Sequence, residues 1–184
     1  MSLTQTTYRN RSHYRYSRMQ RALHWIMAVV IVLALAIGLY CAYLDHTPER
    51  EFLMTIHKSL GMTALALLVL RIPVRAYRGE PYWQKEQHRH VRIAARVGHG
   101  LLYALMLLMP VAGYITSGAE GRDIPWFGLF NWPNLMDHDR NFGRLVGTIH
   151  EYGAYLFFIV LGLHLAAVVW HRLVKKDETL SRMV

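Results

Sequence analysis

The sequence predicts an all-α fold, an integral membrane four-helix bundle with both termini cytoplasmic. Four apolar stretches, at about 22–43, 52–72, 91–116 and 146–173, are each long enough to cross a hydrocarbon core of about 30 Å. The basic residues are sorted by connection, and ionisable histidines recur at matched depths inside the apolar stretches. Apolar residues make up 53% of the 184, yet the formal charge is +9, too uneven for an ordinary soluble domain. The basic clusters flank the spans, as lipid-facing anchors do, and this argues against a nucleic-acid partner.

The elements follow in order. Residues 1–20 form a polar, Tyr- and Arg-rich cytoplasmic arm, and 21–184 form the transmembrane domain. Residues 1–22 carry five arginines and no acid, 71–96 carry seven bases against two acids, and the tail adds Arg172, Lys175, Lys176 and Arg182. The connections at 44–58 and 117–149 together hold five bases and seven acids, so the positive-inside rule turns the former set to the cytoplasm and the latter outward. The first span is too long for a cleaved signal and has no convincing cleavage site after it, so it is read as a retained helix. A short acidic loop with Pro48 follows it. The second span is expected to end near Arg71-Ile-Pro-Val-Arg75, because Pro73 discourages continuation. A polar loop with Tyr82-Trp83 leads to the third span, where Pro110 and Gly113 mark a kink. Pro125-Trp126-Phe127-Gly128 and Trp132-Pro133 suit an interfacial segment capping the outer side.

His150 and His164 stand fourteen residues apart in the fourth span. That spacing leaves both rings within roughly 40° of one helix face and about 21 Å apart along the axis. His57 begins the second span at the outer level of His150, and His24 begins the first at the inner level of His164. Two levels with two imidazoles each match two haems, each held by a pair of histidines. The chain has one cysteine, Cys41, and no Cys-x-x-Cys-His, so such haem is b-type. His99, two turns inside the third span, competes with His24 as the inner ligand; otherwise it lies beside the haem or a quinone. Arg71 and Arg75 reach the inner level, where they suit haem propionates, a quinone oxygen or plain snorkelling anchorage. His171, a further 10 Å or so towards the cytoplasm, suits a quinone carbonyl or a simple interfacial place. Gly61, Gly147 and Gly162 allow close backbone approach to a macrocycle, or ordinary helix packing. Lys58, Arg140 and Arg144 are placed to draw a small anion to the outer side. His13, His46, His88, His90 and His138 fall in loops or the arm.

Tyr16-Ser17-Arg18-Met19-Gln20 leading to His24-Trp25, then Ile56-His57-Lys58-Ser59-Leu60-Gly61, resemble the prokaryotic cytochrome b561 family. Gly98-His99-Gly100, Ile149-His150-Glu151, Gly162-Leu163-His164 and the tail from His171 through Lys176-Asp177-Glu178-Thr179-Leu180 to Met183 continue the resemblance over about 14–184. It implies a four-helix bacterial inner-membrane protein with two b haems, whose ligand positions fall on His24, His57, His150 and His164. It also implies quinone contacts near His171 and the arginines ending the second helix. One branch of the family is superoxide oxidase, which takes an electron from superoxide outside and reduces ubiquinone. The alternative is a cytochrome b subunit passing electrons from a partner dehydrogenase or hydrogenase to quinone. A third reading is a scaffold without haem, whose histidines bind metal or only pack.

Overall fold

The computed structural model describes residues 14–81 and 88–184. Arg9, Arg11, His13 and the rest of the arm to residue 13 lie outside it, as do Tyr82-Trp83 and Lys85 of the second connection. Four long helices, α1 (Arg18–Ala42), α2 (Pro48–Arg78), α3 (Arg89–Ala119) and α4 (Arg140–Trp170), form the bundle. A single π-helical turn, His171–Lys175, extends α4. All four helices are long and apolar enough to cross a membrane.

Each helix is longer than its apolar stretch, and in α1, α2 and α4 a side-chain cap extends the start into polar sequence. Ser17 and Gln20 form a reciprocal capping box, so α1 begins at Arg18, inside the segment expected to be an arm. Pro48, expected in a loop, is instead the first residue of α2 behind a Thr47 cap, where a missing amide hydrogen costs nothing. Asp139 accepts from the amides of Asn141 and Phe142 and starts α4. Pro73 does not end α2, contrary to expectation: the helix continues to Arg78, and Gly79, at φ 66°, terminates it with its amide on the Arg75 carbonyl. A proline removes only one helical hydrogen bond, and membrane helices accommodate that loss. The helix α3 likewise runs through Pro110.

The chain is two antiparallel hairpins. Helix α1 packs mainly on α2 and α3 mainly on α4, while α2 and α3 join the pairs. Met27, Ile31 and Leu35 of α1 meet Ala64 and Leu68 of α2, Leu105 and Met109 of α3, and Phe157 and Val160 of α4 in one core. At most 22% of the positions in each spanning window are buried, so most apolar side chains point outward and lipid must cover them.

The two ends of the bundle differ. At the terminal end, the chain returns on itself: the Tyr16 amide donates to the Arg182 carbonyl, Arg21 donates to Val184 O (2.5 Å), and Trp25 Nε1 donates to Met183 O (2.9 Å). Arg182, 3% exposed, donates to the Pro81 carbonyl and lies over the Tyr16 ring, which ties in the second connection as well. At the opposite end, strands β1 (Pro125–Trp126) and β2 (Phe130–Asn131) form a small antiparallel ribbon, an addition to the all-helical expectation. Its three-residue connection holds Phe127 and Gly128 in the left-handed region at φ 49° and 73°, with the Leu129 amide donating to the Trp126 carbonyl. Ser59, fully buried on α2, accepts from the Phe127 amide (2.8 Å), and Trp126 Nε1 donates to Thr63 Oγ1 (3.1 Å). The ribbon is therefore fastened to the side of α2.

Candidate functional site

Two histidine clusters occupy the bundle, one towards each end. Beneath the ribbon, His57 of α2 and His150 of α4 face each other with ring centroids 6.1 Å apart and planes nearly perpendicular. Each ring is fixed from behind. His57 donates from Nδ1 to the Ala34 carbonyl (2.8 Å), and His150 from Nδ1 to the Met109 carbonyl (3.0 Å). That bond sets the tautomer and leaves each Nε2 as an unprotonated donor.

The seats of these rings follow one rule. Four residues after Ala34 stands Gly38, and four residues after Met109 stands Gly113, so each glycine lies one turn beyond its carbonyl on the same face. A Cβ on Gly38 would come within 2.7 Å of His57 Cε1, and one on Gly113 within 3.2 Å of His150 Cε1. Only glycine lets an imidazole lie this close to a helix and reach its backbone carbonyl. Gly38 escaped the reading of the sequence, and Gly113 entered it only as a kink. The pattern of carbonyl, glycine and distant histidine becomes visible once helices are paired.

Both rings border a cavity of about 440 Å³, within the usual range for a ligand or cofactor site. Gly38, Gly61, Gly113 and Gly147 line it together with apolar side chains from all four helices. Arg50, Lys58 and Arg122 border it as well, with Glu151. Lys58 donates to the Asp123 carbonyl (2.7 Å), Arg50 to the Cys41 carbonyl (3.1 Å), and Arg122 pairs with Glu120 (2.5 Å). Arg140 and Arg144, expected beside Lys58, do not line this cavity; Arg144 donates to Asn141 at the start of α4. Arg50 and Arg122 take their place, and their mixed-charge surroundings in sequence gave no sign of it.

The terminal-end cluster is built differently. His164 of α4 has its ring contact with His99 of α3, centroids 5.5 Å apart. His24 of α1 packs against Trp25 and takes a hydrogen bond on Nδ1 from Arg71 Nη2 (3.1 Å); His164 and His99 lie within its electrostatic reach. Arginine can only donate, so the His24 proton sits on Nε2 here, the reverse of the ribbon-end tautomer. Arg71 also donates from Nε to the Tyr103 hydroxyl (3.1 Å), and Arg75 pairs with Glu80. Nothing stands within 4 Å of a Cβ added at Gly162.

Beyond this cluster, His171 donates from Nδ1 to Asp177 Oδ2 (2.6 Å), both side chains nearly buried at 13% and 12% exposure. Burial alone would raise the Asp177 carboxyl, but bonds from Thr179 and His171 outweigh it and hold the group below the usual carboxylate range. Of the remaining histidines, His46 lies beside Arg50 and His138 near Gly121, while His90, expected in a loop, is in the first turn of α3 and stacks on the N-cap residue His88. Among the described residues, no group of three or more His, Cys, Asp or Glu side chains is placed to hold a metal ion directly.

An iron porphyrin asks for two nitrogen donors at one level and for backbone close enough to pass a flat ring. The ribbon-end residues meet both demands: paired free Nε2 atoms, glycine-lined walls and an apolar cavity. The terminal-end residues supply the donors, with His24 first having to give up its bond from Arg71.

The family model for prokaryotic cytochrome b561 matches residues 15–184. The chain is 29% identical to cytochrome b561 homolog 2 of Escherichia coli (strain K12) over 177 residues, covering 92% of this chain and 91% of that protein. It is 27% identical to the probable superoxide oxidase CybB of Yersinia pestis over 173 residues, with 94% and 97% covered. Cytochrome b561 homolog 1 of E. coli is 24% identical over 171 residues, with 92% and 97% covered. With the match running through all four spans, the chain belongs to the prokaryotic cytochrome b561 family, multi-pass electron-transfer proteins of the bacterial inner membrane for which haem b is implied.

Proposed function

We propose that the chain carries two b haems and moves electrons from superoxide, on the periplasmic side, to ubiquinone. His57 and His150 would hold one haem and His24 and His164 the other, with His99 beside the second. The observation that carries this reading is the facing of His57 and His150 across an apolar, glycine-lined cavity, each with Nδ1 tied to a backbone carbonyl. Bound haem supplies one-electron chemistry at its iron. Two imidazoles per site would leave a bound haem no open position for a small molecule, so these residues favour electron transfer.

The remaining roles belong to the chain itself. Arg18, Arg21, Arg71, Arg75, Arg78, Arg89, Arg92, Arg96, Arg172, Lys175 and Lys176 gather at the terminal end, which supports a cytoplasmic placement for it and for both termini. The ribbon end is then periplasmic. There Arg50, Lys58 and Arg122 at the cavity favour the approach of a small anion, and superoxide leaves as dioxygen without needing a proton. At the cytoplasmic end, Asp177 orients His171 by accepting from its Nδ1, and in its doubly protonated form the ring would donate from Nε2 to a quinone carbonyl, with Arg71 and Arg75 at the same end. Ubiquinone needs two electrons and two protons, and this end faces the compartment that supplies the protons. The Yersinia relative's name supports the superoxide reading.

The test is haem quantification by pyridine haemochrome on the purified protein, followed by superoxide-driven ubiquinone reduction. The expected result is two b haems per chain and turnover that disappears in His150→Ala together with half of the pigment. Two haems without superoxide turnover would transfer the donor's role to a partner dehydrogenase or hydrogenase. A His150→Ala protein that inserts normally and keeps all its pigment would remove the ligand assignment.

A further inference from the structure

Three helices converge on one guanidinium at the terminal end. Arg71 of α2 donates to His24 on α1 and to the Tyr103 hydroxyl on α3, and its Cζ lies 5.9 Å from the centroid of the Tyr103 ring. His99 and His164 are within its electrostatic reach. Among the described residues Arg71 meets no carboxylate, whereas the neighbouring Arg75 is paired with Glu80. This level therefore carries one uncompensated positive charge, held by both the hydroxyl and the ring of Tyr103.

The ribbon end is built in the opposite sense. His57 and His150 both donate to carbonyls, which makes their imidazoles stronger electron donors towards a metal. The cations there are interleaved with acids. Arg122 pairs with Glu120, Glu120 and Asp123 lie within reach of Lys58, and Glu151 borders the same cavity, so three acids stand against Arg50, Lys58 and Arg122. Electron-rich ligands favour an oxidised iron, and a nearby unpaired cation favours a reduced one.

We propose that Arg71, positioned by Tyr103, makes the terminal-end haem the more oxidising of the two, so that an electron entering at the ribbon end runs downhill along the bundle. The inference rests on the two-haem reading above. The step moves one electron from one iron to the other, with no bond made or broken and no proton transferred. When His24 ligates through Nε2, its Nδ1 takes the ring's single proton and stops accepting from Arg71. The Tyr103 contacts then keep the charge at that level. Tyr103 is a positioning residue, acting only through Arg71.

Equilibrium redox titration of the purified two-haem protein, followed in the visible spectrum, tests this. His150→Ala and His164→Ala, each retaining one haem, assign the two waves. The terminal-end wave is expected at the higher potential. Arg71→Gln should lower that wave by on the order of tenfold in electron partition, about 59 mV for one electron, and leave the ribbon-end wave in place. Tyr103→Phe should lower the same wave by less, and Arg71→Lys should restore most of the gap. A native protein whose ribbon-end haem is the more oxidising would overturn the inference, as would an unchanged gap in both Arg71→Gln and Tyr103→Phe. If Arg71→Gln sheds the terminal-end haem, Tyr103→Phe decides alone: a lowered wave supports the proposal and an unmoved one ends it. A native protein with fewer than two haems would instead sink the two-haem reading itself.

Discussion

The two histidine clusters are chemically similar in composition and opposite in construction. At the ribbon end, two imidazoles are locked by backbone carbonyls against glycines and look into a ready cavity of about 440 Å³. At the terminal end, three imidazoles share space with an arginine, one of them accepts that arginine's hydrogen bond, and two others touch each other. Backbone seats are rigid because helix geometry sets them, whereas side-chain partners can exchange. The ribbon end is thus preorganised for a ligand pair, and the terminal end is adjustable in charge and contact. Under the proposed function, such a division suits a carrier that takes electrons at one fixed port and hands them on at a port that must also manage protons.

Breaking one seat should have the largest effect. Gly38→Leu fills the space that the His57 ring occupies, since even a Cβ there lies 2.7 Å from Cε1. The expected outcome is loss of about half the haem b in a pyridine haemochrome assay, with the terminal-end haem retained; full pigment would deny that the seat matters. A sharper comparison concerns which ring partners His164. His24→Ala is expected to remove the terminal-end haem, while His99→Ala keeps it and alters only its low-temperature spectrum. The reverse pattern would exchange their roles. The smallest effect lies in the tail. Asp177→Asn replaces a charge-assisted bond to His171 and should cost about 1 kcal/mol of local stability, read as faster hydrogen exchange over residues 177–183. Because the folded carboxyl is held below its ordinary range, its contribution is full above the unfolded value and lost only as pH falls through the lower folded one. Protection of the native tail, corrected for the intrinsic pH dependence of amide exchange, should therefore stay constant from neutral to mildly acid pH and fall only in strong acid. A tail that loosens already near neutrality would contradict the Asp177–His171 pairing.

The four spans were legible because hydropathy over about twenty residues needs no tertiary knowledge. That His57 and His150 meet was legible for a similar reason, since rise per residue converts spacing into depth. What the chain could not reveal alone is how each helix is turned about its own axis against its neighbours. That rotation puts Gly38 under His57 and brings His99 to His164, while the path of the connection after α3 carries Arg122 rather than Arg140 to the cavity. The helix ends were underestimated because hydropathy ignores caps: Ser17 with Gln20, and Thr47 with Pro48, extend helices into sequence that reads as loop. Pro73 misled for the opposite reason. A single missing hydrogen bond is a weak stop signal inside a helix supported by its neighbours and by lipid.

Each ribbon-end histidine rests on the helix next to it in sequence, His57 on α1 and His150 on α3, so neither half of the bundle borrows its seat from the other. The hairpins can each finish their own share of the port before they meet. A group gripped by both rings would then act as a rivet between two prefabricated panels. Removing it should leave the panels intact and loosen only the seam between α2 and α3.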